Sequence, residues 1–274
     1  MFMQKTLLWL LCLSIFILGC AKKEKGFIRI KGSDTEVNLV QRLAEVFMKR
    51  NPKLSIAVTG GGSGVGISAL INSETDIANS SRQMKEEEIE KAKKNGINPV
   101  ATVFALDRLA IITHPSLSID SLTMDELGRI YKGEIHNWKE LGGPDLNITL
   151  YGRTSASGTF IYFREKVLKG DYSPDMRQMI GTSQIVEAVK RDKGGIGYVG
   201  IGYIKNERLV KMVKIAQGKD STYKSPLEEG YLLERKLYQY TNSEPSSNIS
   251  RFIQFELSKE GQNIVAEEGF YPVQ

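Results

Sequence analysis

The sequence predicts an α/β fold with parallel-rich sheets, on three observations. Apolar segments of strand period and helix period alternate along the chain, polar glycine-bearing turns stand where strands hand over to helices, and no internal repeat or low-complexity tract breaks the pattern. Phe27 to Lys31 alternates as a strand does. Val40, Leu43, Ala44 and Phe47 then recur at helical spacing until Asn51-Pro52 stops the helix. Leu54 to Thr59 is expected to form a second strand, Val65 to Ile71 a helix, Asp76 to Ala78 a short strand and Lys85 to Asn95 a charged helix. Val100 to Ala105 and Leu109 to Thr113 are adjacent apolar runs, and Ile148 to Tyr151 and Ile196 to Val199 are later strands.

The first twenty residues have another character. Lys5 precedes an apolar run from Leu7 to Leu18, followed by Gly19-Cys20. The run is shorter than the roughly 20 residues that a spanning helix needs, but it has the length of a secretory hydrophobic region. A small residue before a cysteine at the end of such a run resembles a bacterial lipoprotein cleavage site, with Ile17 and Leu18 departing from the usual pattern. Residues 1–20 are therefore expected to be a lipoprotein signal ending at a lipidated Cys20, which would anchor the chain to a bacterial membrane. An ordinary cleaved signal peptide and an uncleaved anchor are the alternatives. Residues 21–26 (AKKEKG) read as a short charged tether.

Removal of the leader takes Cys12 away and commits Cys20 to lipid, so no thiol remains for a disulfide, a redox centre or a metal site. About 250 residues are left, enough for one large or two modest domains. The formal charge of +5 becomes +4 when Lys5 is lost, and it is scattered among acidic residues. That distribution excludes an expectation of nucleic acid as partner, while favouring a small anion.

Three turns carry the functional argument. Gly32-Ser33-Asp34-Thr35 follows the opening strand, Gly60 to Gly66 (GGGSGVG) follows the second, and Gly152 to Thr159 (GRTSASGT) follows NITLY. Turns at the carboxyl ends of strands in an open α/β sheet are where ligands bind. Hydroxyls and unpaired N–H groups at the positive end of a helix suit an anion, and Arg153 adds a planar fork able to grip two oxygens. Each turn has a plainer reading as an N-cap or a tight turn. GGGSGVG lacks the Gly-Lys-Ser/Thr ending of a P-loop.

Together with DIANSSR at Asp76 to Arg82, KGEIHNWKELGG at Lys132 to Gly143 and GGIGYVG at Gly194 to Gly200, these turns come in the order seen in periplasmic phosphate-binding proteins of the PstS type, and the chain resembles that family from Phe27 to its end. The resemblance implies a two-lobed periplasmic-binding-protein fold with a hinged ligand cleft. Residues 27–107 and 231–274 would form the first lobe and 108–230 the second. It implies a monomeric, lipid-anchored receptor in the cell envelope that needs no cofactor, holds no metal, is not an enzyme, and delivers inorganic phosphate to the membrane permease of an ABC importer. Carried over by position, the phosphate ligands are Asp34, Thr35, Ser63, Ser81, Arg153, Ser157, Gly158 and Thr159, with Arg82 a further candidate by proximity alone.

Two positions depart from the family pattern, whose members carry an aspartate where Ser81 stands, accepting the proton of HPO₄²⁻, and another where Ser155 stands, bracing the arginine. A carboxylate acceptor is what admits protonated phosphate and repels sulfate. Asp34 is therefore expected to have taken over the acceptor role, its plainer role being N-cap of the helix beginning near Glu36. His114 and His136 stand in no metal-ligand spacing, and Trp138, Tyr198, Tyr203, Tyr231, Tyr238 and Tyr240 are expected in core, hinge or cleft wall. The alternatives are a receptor or sensor for another tetrahedral oxyanion such as sulfate or molybdate, or a secreted serine hydrolase or phosphatase using Ser63 or Ser157. The latter lacks a GxSxG elbow, a histidine base and a metal-binding carboxylate cluster.

Overall fold

The computed structural model describes residues 26–205 and 207–273. Cys20, the leader and residues 21–25 of the tether lie outside the described residues. The chain forms β1 (Gly26–Gly32), α1 (Val37–Arg50), β2 (Leu54–Thr59), α2 (Ser63–Ile71), β3 (Ile77–Ser80), α3 (Glu86–Lys94) and β4 (Pro99–Thr113). It continues through β5 (Ser121–Thr123), α4 (Met124–Lys132), β6 (Thr149–Arg153), α5 (Gly158–Phe163), β7 (Arg177–Met179), α6 (Thr182–Arg191), β8 (Gly195–Gly200), β9 (Lys211–Ala216), β10 (Glu234–Asn242), α7 (Ser247–Leu257) and α8 (Lys259–Glu267).

The strand order β2-β1-β3-β10-β4-β8-β6-β7 divides into two lobes. β1 pairs in parallel with β2 and β3, and β6 pairs in parallel with β7 and β8, so each lobe has the parallel core that strand–helix alternation predicts. The antiparallel pairs β10–β3, β10–β4, β4–β8 and β4–β9 all involve β4 or β10, and β4 pairs with strands of both lobes. β4 is 15 residues long, and at about 3.3 Å per residue it reaches about 50 Å, enough to serve both sheets. Its first part pairs with β10 from Pro99 to Arg108, and its last part pairs with β8 from Leu109 to Thr113.

The sequence shows two apolar runs here, broken by Asp107-Arg108, whereas the structure has one strand. Both charges find partners within the protein. Asp107 meets Arg235, and Arg108 meets Glu234 and the carbonyls of Pro226 and Glu228. Buried charge is tolerated in a strand when it is paired in this way.

Each lobe has its own core. In the first, Leu39, Val40, Leu43, Ala44 and Phe47 form the buried stripe of α1 and pack with Ile28, Ile30, Ile56 and Phe252. In the second, Trp138, Tyr131, Phe163 and Tyr198 are fully buried, and the Trp138 indole N–H donates to the Gly194 carbonyl. α4 begins at a reciprocal cap in which Thr123 accepts from the Glu126 N–H while the Glu126 carboxylate accepts from the Thr123 N–H. No helix of the described residues is long and apolar enough to cross a membrane.

Candidate functional site

The three polar turns meet at the junction of the lobes. Thr35, Ser63, Ser81, Arg153, Ser157 and Thr159 are all nearly inaccessible, and Gly158 is buried with them. Thr35 Oγ1 lies 2.9 Å from Thr159 Oγ1, joining the first turn to the third. Ser63 Oγ accepts from the Ser81 N–H at 3.1 Å and lies 3.4 Å from Ser81 Oγ. Ser157 caps α5, its hydroxyl oxygen accepting from the Thr159 N–H.

Two glycines let these turns approach so closely. Gly62 has φ +102°, a backbone region that side chains disfavour, and a Cβ there would sit 2.7 Å from the Ala156 carbonyl oxygen. A Cβ on Gly158 would come within 2.7 Å of Ser81 Oγ and closer still to Ser63 Oγ. The second and third turns are also joined directly, the Gly64 N–H donating to the Ala156 carbonyl at 3.0 Å.

Arg153 ends β6 and is 1 % exposed, a position at which a guanidinium must be paired. Nη2 donates to Asp34 Oδ2 at 2.5 Å and to the Ile180 carbonyl at 2.6 Å. Nη1 donates to Thr182 Oγ1 at 2.7 Å, and Nε to the Met179 carbonyl at 3.3 Å. Of five N–H groups, four are thus engaged, and one on Nη1 has no partner among the described residues. The two-pronged grip expected of this fork is spent on the protein.

Asp34 accepts on both oxygens, Oδ2 from Arg153 and Oδ1 from the Gly61 N–H at 3.1 Å, while its backbone carbonyl accepts from the Tyr203 hydroxyl at 2.5 Å. It is not the cap of α1: the residue before that helix is Glu36, which makes no side-chain capping bond. The brace for Arg153, which the family pattern places at the position of Ser155, comes here from Asp34 in the other lobe. Burial and the neighbouring Asp34 charge push the Tyr203 hydroxyl's pKa up, keeping it a neutral donor.

Arg82 is not brought to the cluster by its charged end. Its guanidinium forms a two-pronged pair with Glu88 at 2.7 and 2.8 Å and donates to the Gln83 carbonyl, closing the start of α3. His114 is turned onto Ser116, and the His136 backbone is tied to Glu140, both away from the site. Among the described residues no group of His, Cys, Asp and Glu could hold a metal ion.

Sequence reasoning missed Arg235 and Asp107. Both are buried, with Asp107 Oδ2 accepting from Arg235 Nε at 2.9 Å and Nη2 at 2.7 Å, and Arg235 Nη2 also reaches Thr159 Oγ1 at 3.1 Å and Thr35 Oγ1 at 3.3 Å. Asp107 Oδ1 accepts from the Ile201 N–H, tying β4 to the end of β8. The available signal was phase: in Glu234-Arg235-Lys236-Leu237 the arginine shares the inward face with Leu237, while its neighbours face out. The four charges of the site form two compensated pairs, Arg153 with Asp34 and Arg235 with Asp107. A ligand here would be held by hydrogen bonds to hydroxyls, N–H groups and the guanidinium protons of Arg153 and Arg235 unpaired among the described residues, rather than by surplus charge.

A sequence profile of the PBP superfamily domain matches residues 21–260. The chain is 32% identical to the phosphate-binding protein PstS of Pseudomonas aeruginosa, over 90% of this chain and 83% of that one. It is also 32% identical to the PstS of Borreliella burgdorferi, over 98% of each. Among solved structures, a protein of Clostridium perfringens assigned as a phosphate ABC transporter substrate-binding protein, with bound phosphate, superposes with a TM-score of 0.81 and 30% identity, covering 91% of this chain and all of that one. The chain belongs to the PBP superfamily, within its PstS group.

Proposed function

We propose that this protein captures inorganic phosphate outside the cytoplasmic membrane and passes it to an ABC-type importer. The observation that carries this reading is the convergence, at one buried point between the lobes, of three glycine-bearing turns that present hydroxyls beside Arg153. The similarity to PstS proteins and to a phosphate-bound relative supports it. The proposed ligands are Asp34, Thr35, Ser63, Ser81, Arg153, Ser157, Gly158 and Thr159. Asp34 has a double role, bracing Arg153 and accepting the phosphate proton through lone pairs that its two present bonds leave free. Residues 27–107 and 231–274 are the proposed first lobe and 108–230 the second, closing about β4 and β10 on the anion.

The test is titration calorimetry across phosphate, arsenate, sulfate and molybdate. Phosphate binding near micromolar, worth about −8 kcal/mol, with sulfate weaker by orders of magnitude, is the expected result. Sulfate or molybdate bound more tightly than phosphate would replace the reading by another oxyanion receptor. The protein is further proposed to be a monomer held to the membrane by lipid on Cys20. Palmitate labelling of the wild type, lost in Cys20→Ser, is expected; labelling that persists in the variant would refute the anchor.

A further inference from the structure

Arg235 lies outside the set of ligands carried over from the family, yet its side chain reaches the heart of the site. It is 6 % exposed and stands on β10, which runs beside β4 from Pro99 to Arg108. Nη2 has two protons. One goes to Asp107 Oδ2, and the other is shared between Thr35 Oγ1 of the first lobe and Thr159 Oγ1 of the second. Nη1 is buried and has no partner among the described residues. Arg235 also lines, with Ser81, Arg82, Tyr162 and Lys236, a cavity of about 370 Å³ beside the cluster.

Proton bookkeeping in this triangle has a consequence. The two threonine oxygens are 2.9 Å apart, so one hydroxyl donates to the other. The receiving oxygen then takes that proton and a share of the arginine N–H, which fills both of its lone pairs. Its own O–H can only donate, and it must donate outward. Without the arginine each hydroxyl would keep a free lone pair; with it only the donating hydroxyl does.

We propose that Arg235 is a positioning residue for the anion: it leaves the receiving hydroxyl of the Thr35–Thr159 pair able only to donate, so that this edge of the site favours an unprotonated oxygen and a P–OH group is turned towards Asp34 and the serines. The inference rests on the proposed phosphate site. Asp107 holds the guanidinium in place and offsets its charge, so the arginine acts through the hydroxyls' proton arrangement rather than as a bare countercharge. Nη1 offers the same edge a further donor.

A double-mutant cycle read by phosphate calorimetry tests this. Arg235→Gln is expected to weaken phosphate binding by roughly tenfold or more in the wild type, and by less than about threefold when Thr35 and Thr159 are both valine, because the effect travels through those hydroxyls. Arg235→Lys keeps the charge opposite Asp107, and with it the fold, but cannot serve both hydroxyls; it is expected to lose at least about fivefold. This variant decides the matter if Arg235→Gln does not fold. Equal losses in the two backgrounds would reduce Arg235 to a structural role, and wild-type binding by either folded variant would overturn the proposal. A wild-type protein that takes up no phosphate would overturn the functional reading as well, and so is told apart from failure of the arginine's role alone.

Discussion

Arg153 and Asp34 make one unit, and their substitutions are expected to differ in kind. Arg153→Ala removes a guanidinium that holds Asp34, Thr182 and the Met179 and Ile180 carbonyls. It leaves a bound anion with hydroxyls, backbone donors and the Asp107-paired Arg235. The variant is expected to bind phosphate at least about tenfold more weakly, a loss of roughly 1.4 kcal/mol; unchanged calorimetry would remove Arg153 from the ligand set. Asp34→Asn keeps the size but loses the charge, so it weakens the brace as well as the proposed proton acceptor. Sulfate has no proton to offer, and in the wild type its oxygens face the remaining Asp34 lone pairs with nothing to satisfy them, which disfavours it against phosphate. The expected signature of Asp34→Asn is a fall in the phosphate-to-sulfate affinity ratio, measured by competition. If phosphate weakens while the ratio holds, Asp34 is a brace only. The turn residues were legible in the sequence because each motif is local: a hydroxyl beside a glycine keeps its meaning wherever the turn docks. The Asp34–Arg153 pair was not, because its partners are 119 residues apart and nothing near either names the other.

At the scale of elements, alternation found the parallel core of each lobe, and the turns stand at the carboxyl ends of β1, β2 and β6. β4 reads in sequence as two adjacent apolar runs because Asp107 and Arg108 interrupt it, and it becomes one strand once Arg235 and Glu234 are brought alongside. A second buried polar set lies in the first lobe. Glu256 of α7 is fully buried, accepting on Oε1 from the Gln239 side chain of β10, and Oε2 has no partner among the described residues. Glu36, before α1, is equally buried. Loss of water pushes both carboxyl pKa values well above 4.5, opposed at Glu256 by the Gln239 bond and at Glu36 by the Arg235 charge. The sign follows from proton counts. Below pH 4.5 folded and unfolded chains are both protonated; as pH rises, the unfolded chain releases protons that the folded one keeps, so stability is lost until the folded-state pKa is passed. Glu256→Gln removes this slope at one site. Its melting temperature relative to wild type is expected to be higher by roughly 2–4 °C at pH 8 than at pH 5, the shift that about 1 kcal/mol gives a protein of this size. Equal offsets at the two pH values would mean that Glu256 is ionised in the folded protein.

For the whole molecule, the decisive contacts are those that join the lobes. Asp34 with Arg153, Thr35 with Thr159, and the Gly64 N–H with the Ala156 carbonyl each connect the first lobe to the second, so the proposed opening about β4 and β10 would break all three together. An anion seated among the hydroxyls, as proposed, would add bonds to both sides at once and so favour the closed state over the open one. It shifts the population only by its differential affinity for the two states, and the same energy appears as stability, because the unfolded chain does not bind. At phosphate about a thousandfold above the dissociation constant, that linkage amounts to roughly 4 kcal/mol. Saturating phosphate is therefore expected to raise the melting temperature by several degrees and to reduce the radius of gyration in small-angle scattering, while Arg153→Ala at the same concentration responds less in both. Binding without contraction would mean that the cleft is closed before phosphate arrives, with the hinge acting only in release. A melting curve and scattering profile that both stay fixed would remove the cleft between these lobes as the place where phosphate is held.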